Sequence, residues 1–162
     1  MFNIAGKYDE TTLFSAGRSG QLVTVCELLK HDMIHVNVAN ELGDTALTWA
    51  GVFGTVKVIR ELLKHDMIDV HIHGQHGETA LFVAISCSHL DAVRELLTHN
   101  MVAVNEVWNG RTSLISAVVD DHLETVMETL KHKMVNVNIT DEHGYTALIW
   151  ASAFGRVLIV CE

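Results

Sequence analysis

A short phrase of the form Thr-Ala-Leu-x-x-Ala recurs along this chain at a nearly constant interval. Clear copies begin at Thr45, Thr79 and Thr146, and looser copies begin at Thr11 and Thr112. The intervals between the leading threonines are 34, 34, 33 and 34 residues. A fixed period of this size means that one supersecondary unit stacks on copies of itself, each burying the apolar face that its neighbour cannot bury alone. The sequence therefore predicts a solenoid.

The second half of each unit repeats as well. A segment similar to Glu-Leu-Leu-Lys-His-Asp-Met-Ile begins at Glu27, Glu61, Glu95 and Thr129. A glycine precedes or nearly precedes four of the threonine phrases, at Gly43, Gly77, Gly110 and Gly144. This layout resembles the ankyrin repeat family, whose unit is a β-turn finger followed by two antiparallel helices marked by T-P-L-H-x-A. The resemblance implies an all-α solenoid of stacked helix-turn-helix units with β-turn fingers.

The resemblance covers nearly all of the 162 residues and implies a single domain, 1–162. We number its units one to five, with approximate boundaries at 7–40, 41–74, 75–107, 108–141 and, for a partial fifth, 142–162. The chain has no proline, so threonine, alanine or serine takes the place of the family's proline. The family's histidine column is also replaced, by Phe14, Thr48, Phe82, Ile115 and Ile149.

Composition excludes several classes of function. The formal net charge is −9, and no cluster of Lys and Arg is present that would track a phosphate backbone, so we expect no nucleic-acid binding. No apolar run approaches the ~18 to 20 residues of a membrane span, and no secretory signal is evident. Three cysteines in different units form no C-x-x-C, which favours free thiols in the cytoplasm. We expect no cofactor.

The resemblance implies that a protein partner binds the concave surface formed by the finger tips and the exposed face of the first helices. In this chain those columns vary strongly between units, and several hold large apolar groups, which favour interaction sites. Unit four also has a finger one residue shorter, which would reorient its tryptophan. In unit one, the finger-tip columns expected to face a partner hold Lys7, Tyr8 and Glu10. The predicted contact residues are Leu42, Asp44, Val52, Phe53, His76, Glu78, Trp108, Arg111, Val119, Tyr145 and Phe154.

Trp49 and Trp150 follow the family's histidine column, and we interpret both as packing residues. Catalysis is not expected, because the serines of the first helices lie on no strained nucleophile elbow and no base is paired with Cys87. The predicted function is therefore a non-catalytic protein-interaction module.

Three histidines in one finger suggest a metal site. In an extended strand, residues two apart share a face, so His71 and His73 could hold one metal ion, with His76 closing the site. No Cys or carboxylate at ligand spacing joins them in the sequence. The alternative is an exposed cluster that binds metals only adventitiously.

Two further hypotheses concern other roles. The chain could be a scaffold or a self-associating array, because residues 157–160 are apolar where a solenoid normally ends in a polar cap. The resemblance also implies that Asn37, Asn105 and Asn138, each following a valine at the start of a finger, are targets of asparaginyl hydroxylation. The structural alternative is that these side chains hydrogen-bond the turn backbone.

Overall fold

The computed structural model describes residues 12–31 and 34–156. Within these ranges the chain forms nine helices and one short hairpin, which confirms the predicted all-α solenoid. In chain order the elements are α1 (Thr12–Arg18), α2 (Leu22–Leu29), α3 (Ala46–Val52), α4 (Val56–Leu63), α5 (Ala80–Ser86), α6 (Leu90–Leu97), β1 (Val107–Trp108), β2 (Arg111–Thr112), α7 (Ser113–Val119), α8 (Leu123–Leu130) and α9 (Ala147–Ala153).

The helices form two layers. The first helices of the units, α1, α3, α5, α7 and α9, stack in chain order, and the second helices, α2, α4, α6 and α8, stack beside them. Each of the first four first helices also packs against the second helix of its own unit. Contacts therefore run from each unit to its neighbours. The predicted finger residues Lys7, Tyr8 and Glu10 and the apolar stretch 157–160 lie outside the described residues.

Threonine begins the first helices of units two to five because its side chain caps them. The hydroxyls of Thr45, Thr79, Thr112 and Thr146 each accept a hydrogen bond from the backbone N–H three residues later. In unit two, Thr48 stands in the family's histidine column and completes a capping box. Its hydroxyl accepts from the backbone N–H of Thr45 at 2.8 Å and donates to the Thr45 carbonyl at 2.9 Å.

The turn between the two helices of a unit needs a left-handed residue. Gly54 supplies it in unit two with φ +62°, and a Cβ at this position would lie 2.7 Å from the ring of His89. Units three and four carry Ser88 and Asp121 at the same position, with φ 57° and 62°. These side chains adopt the conformation at some energetic cost relative to glycine.

The core follows the leucine column of the first helices and the apolar stripe of the second helices. Leu47, Leu81 and Leu114 are 2%, 2% and 3% exposed, whereas Leu148, in the same column of α9, is 53% exposed. The second-helix stripe is buried at Val58, Ile59, Leu62, Val93, Leu96 and Val126. In the part of the chain that the structure describes, every helix is too short or too polar to cross a membrane.

Candidate functional site

Two tryptophan–phenylalanine pairs lie on the finger and first-helix side of the array. In unit two, Trp49 stacks on Phe53 with ring centroids 5.2 Å apart and planes 20° apart. The edge of Phe14 meets Trp49 at 6.0 Å, and the Arg18 guanidinium lies 5.1 Å from the indole centroid. Phe53 remains 48% exposed. We call Trp49 and Phe53 the unit-two ring pair.

The same arrangement returns in unit five. Trp150 stacks on Phe154 at 5.3 Å with planes 17° apart, and Tyr145 meets Trp150 edge-on at 5.4 Å. Arg111, which was predicted to contact a partner, lies over the Trp150 ring at 5.5 Å, and Arg156 lies over Phe154 at 5.6 Å. Phe154 is 48% exposed and Tyr145 is 45% exposed. We call Trp150 and Phe154 the unit-five ring pair.

Units three and four hold smaller side chains in the columns of the ring pairs. Val83 and Cys87 replace the two rings in unit three, and Ser116 and Asp120 replace them in unit four. Cys87 and Asp120 are exposed. The partial burial of Cys87 nevertheless raises the pKa of its thiol, which favours the protonated form. In these two columns, the ring pairs therefore flank two units without aromatic side chains.

Trp108 lies across the finger of the preceding unit. Its indole N–H donates to the backbone carbonyl of His76, and its ring meets Phe82 edge-on at 5.2 Å. A Cβ at Gly77 would lie 2.9 Å from the Trp108 ring, so the glycine provides the space for this contact. Trp108 is half-buried. It therefore joins two fingers while leaving part of its ring open.

The short fourth finger owes its shape to an Asn-Gly turn. Val107 pairs with Thr112 and Trp108 with Arg111, which leaves Asn109 and Gly110 as a two-residue hairpin loop. Both loop residues have positive φ, 48° and 74°, as the type I′ hairpin turn requires. The shorter finger of unit four is thus closed by a two-residue hairpin, with Trp108 in its first strand.

The other predicted contact residues differ in exposure. Leu42 is 51% exposed and His76 is exposed, whereas Val52 and Val119 are half-buried. Asp44 is only 8% exposed, because its Oδ1 accepts a hydrogen bond from the Gln75 backbone N–H at 2.8 Å. Asp44 thus connects its finger to the next one and offers little surface to a partner.

Glu78 is half-buried, and its Oε2 is buried with no hydrogen-bond donor among the described residues. The carboxylate of Glu78 therefore keeps an unused acceptor on the finger side of unit three. The absence of a donor distinguishes it from Asp44, which fills the same column in unit two.

The three predicted metal ligands do not converge. His71 Nδ1 contacts Glu106 Oε1 at 3.2 Å, and His73 Nε2 contacts Glu106 Oε2 at 3.1 Å. The Glu106 carboxylate, from the next unit, therefore contacts both imidazoles. His76 is exposed, and no group of three or more His, Cys, Asp or Glu in residues 12–31 and 34–156 is arranged to hold a metal ion.

Two of the three predicted hydroxylation targets use their amides to connect adjacent units. Asn37 donates to the Met67 carbonyl at 2.6 Å and accepts from the Asp69 N–H at 2.9 Å. Asn105 makes the equivalent pair of bonds, to the Met134 carbonyl and from the Asn136 N–H, both at 2.7 Å. These contacts supply the structural role that was the alternative to modification. Asn138 is exposed, and its backbone N–H donates to Asn136 Oδ1.

Trp49 and Trp150 were predicted to be packing residues, and Trp150 does pack against the core, but their stacking in the ring pairs was not predicted. Both indoles are half-buried, and each touches a ring that we predicted to bind a partner. The sequence does contain a signal, because each tryptophan precedes its phenylalanine by four residues, and side chains at this spacing meet on one face of a helix.

Comparisons with known proteins agree with this architecture. A crystal structure described as EF0377, an ankyrin repeat protein, superposes with a TM-score of 0.89 and 23% sequence identity. The match covers 100% of this chain and 85% of that one, and at this identity it shows the fold alone. No curated protein gives a significant match.

The family model described as ankyrin repeats (3 copies) matches residues 13–107 and 99–162. These two segments together span most of the sequence, and the chain therefore belongs to the ankyrin repeat family.

Proposed function

We propose that this chain is a non-catalytic module that binds a protein partner through its fingers and the exposed face of its first helices. Ankyrin repeats are generally protein-interaction modules. Under this proposal the chain works in the cytoplasm, where the thiols of Cys26 and Cys87 stay free. The partner's contacts centre on the two ring pairs.

The observation that carries the proposal is the half-exposure of aromatic rings that the helix packing does not need. Phe53 and Phe154 each stack on a tryptophan and present about half of their surface to solvent. Aromatic side chains with one face supported and the other open are favoured anchors at protein interfaces. Their recurrence in the same two columns of units two and five supports a binding surface rather than isolated exposed residues.

Site-specific photo-cross-linking tests this proposal in cells of the source organism. A benzophenone amino acid replaces Phe53 in one variant and Phe154 in another, and cross-linked products are identified by mass spectrometry. The matched control carries the same group at Val23, which is 77% exposed on the second helix of unit one. We expect one protein to be captured from both aromatic positions and not from position 23. Capture from position 23 alone, or from neither aromatic position, contradicts the proposal.

Self-association is a second candidate that one observation favours. Leu148 and Ile149 of α9 are 53% and 45% exposed, although the equivalent residues of α5, Leu81 and Phe82, are 2% and 6% exposed. A second copy of the chain that covers α9 would bury this apolar surface. A benzophenone at position 149 would then cross-link to the chain itself. If it gives only the product captured from position 154, the self-association hypothesis fails.

A further inference from the structure

Charge is distributed unequally between the two sides of the array. All lysines in the described ranges lie on second helices or shortly after them, at Lys30, Lys57, Lys64, Lys131 and Lys133. Several of these cations are already paired, as in Lys30 with Glu27 at 2.7 Å and Lys131 with Glu128 at 3.1 Å. On the second-helix side, positive and negative side chains therefore largely neutralise each other.

The finger and first-helix side is acidic between and beside the ring pairs. Glu41, Asp120, Asp121 and Glu142 are exposed there. Three arginines lie on the same side: Arg18 and Arg111 lie over the indole rings, and Arg156 lies over Phe154 and pairs with Asp121. The four exposed acids thus outnumber these arginines, of which Arg18 alone is exposed, in a chain whose formal net charge is −9.

The exposed carboxylate of Asp120 in unit four lies in the columns where the ring pairs are replaced by smaller side chains. Asp120 follows the last residue of α7, so its charge adds to the negative end of the helix dipole. Ser116, one turn earlier, is small, and in unit three Cys87 occupies the column of Asp120. A chain segment that follows these columns from one ring pair to the other would meet small side chains and the carboxylate of Asp120 before it reached the next ring pair.

We propose that the partner is a basic segment that carries two large apolar anchors, one for each ring pair, with its cationic stretch across units three and four. This inference rests on the proposed function and names the class of partner. Complementary charge gives such a segment its specificity and a faster association rate, while the rings hold the anchors. Because one segment connects both anchors, binding at the first raises the effective concentration of the second.

Selection from a random library tests the class of partner directly. The probe is a phage-displayed library of random peptides of about 30 residues, which in extended form reach along several units. Panning on the full chain at low salt should enrich peptides with net positive charge and two separated clusters of apolar residues. One enriched peptide is then synthesised, and its affinity is measured by fluorescence anisotropy at increasing salt.

Two acid-to-lysine variants in unit four distinguish the effect of charge on the finger and first-helix side from the effect of net charge. Asp120→Lys changes the finger and first-helix side, whereas Glu124→Lys makes the same change in net charge on the exposed face of α8. We expect Asp120→Lys to weaken peptide binding about tenfold and Glu124→Lys about twofold or less. Phe53→Ser and Phe154→Ser should each weaken it about thirtyfold. Circular dichroism confirms that each variant is folded.

Several outcomes overturn this inference. It fails if the enriched peptides are acidic or uncharged, if no peptide is enriched over bare beads, or if the two lysine variants have equal effects. It also fails if Phe53→Ser or Phe154→Ser leaves affinity unchanged, because then only one anchor is used. If photo-cross-linking at positions 53 and 154 still captures a protein, the proposed function stands while the basic, two-anchored partner does not.

Discussion

The unit-two and unit-five ring pairs match in ring stacking and differ in the hydrogen bonding of their indole N–H groups. Trp150 donates its indole N–H to Asp141 Oδ2 at 2.7 Å. The indole N–H of Trp49 is also buried, yet it has no acceptor among the residues that the structure describes. A buried donor without an acceptor costs free energy, so the two pairs are not equally stable despite their similar geometry.

The difference traces to the residue that begins each finger. Asn40 and Asp141 hold the same position, nine residues before their tryptophans, and the Oδ1 of each accepts two backbone N–H groups of its own finger. The second terminal atom of Asp141 is an oxygen that accepts from Trp150. In Asn40 it is an NH₂ group, which can only donate. The same turn can therefore provide an acceptor for the neighbouring indole N–H or leave it without one, depending on whether the second terminal atom is oxygen or nitrogen.

The largest expected effect is the difference in stability loss between a core residue and a ring-pair residue. Leu62 is fully buried in α4, and Leu62→Ala should lower the free energy of unfolding by about 2 to 5 kcal/mol. In the same unit Phe53 is half-exposed, and Phe53→Ala should cost about 1 kcal/mol, mainly through the lost stack on Trp49. Urea denaturation followed by circular dichroism measures both values. Equal losses would place the unit-two ring pair in the core.

Binding should depend on both ring pairs, even though they differ in their indole hydrogen bonds. Phe53→Ala and Phe154→Ala should each reduce affinity for the cross-linked partner by about 2 kcal/mol, roughly thirtyfold. Isothermal titration calorimetry with the purified partner measures the loss, and Val23→Ala is the control on the second-helix side. If one variant removes all affinity and the other none, the two pairs are not equivalent parts of one surface.

A single-atom exchange should change the hydrogen bonding of Trp49. Asn40→Asp places a carboxylate oxygen where Asp141 has one, so the Trp49 N–H gains an acceptor worth about 1 kcal/mol of stability. The exchange also adds a charge to the finger, so the same change is made in a Trp49→Phe background and the two effects are subtracted. Urea denaturation supplies the four stabilities. A coupling of zero would mean that Trp49 finds its partner elsewhere.

The smallest effect is a difference in acid sensitivity between the two units. Burial disfavours the charged carboxylate of Asp141, but N–H donors from Tyr145, Trp150 and His143 outweigh it and hold the pKa of Asp141 below its ordinary value. Because the folded pKa is the lower one, the carboxylate stabilises unit five above pH ~4 and loses this effect as pH falls through the folded pKa. Asn40 does not titrate, so unit two lacks this term.

Tryptophan fluorescence can follow this acid sensitivity unit by unit. Both variants also carry Trp108→Phe, so that one tryptophan remains in each. With Trp49→Phe added, the pH-dependent change from Trp150 should appear below pH ~4, and Asp141→Asn should remove it. With Trp150→Phe added instead, the signal from Trp49 should not show this transition. A transition common to both variants would indicate that the whole array responds to acid and would contradict a local role of Asp141.

The sequence predicted the features that repeat. The leucine column, the threonine caps and the all-α solenoid all follow from a local pattern that returns every unit, so each copy strengthens the prediction. Thr45, which begins one clear copy of the repeated phrase, caps α3 over Ala46–Val52. Thr48 could replace a histidine in the capping box because a hydroxyl both donates and accepts.

The parts of the site that the sequence did not predict depend on contacts between units. Asp44 accepts a hydrogen bond from the Gln75 N–H, and the imidazoles of His71 and His73 contact Glu106. Trp108 was predicted to contact a partner, yet it also lies on the finger before its own, so Trp108→Ala should cost stability as well. These partners lie about one unit away in the chain and break the repeat, so no periodic pattern indicates them.

Nearest-neighbour stacking also bears on how such a surface changes over generations. Among the described residues, the main helix contacts lie within a unit or between adjacent units, and α3 and α9 are three units apart. In a linear array the energetic effect of a change fades with the number of interfaces between two sites. The two ring pairs can therefore accumulate mutations independently, and a new partner could be acquired at one end of the array while the other end keeps its anchor.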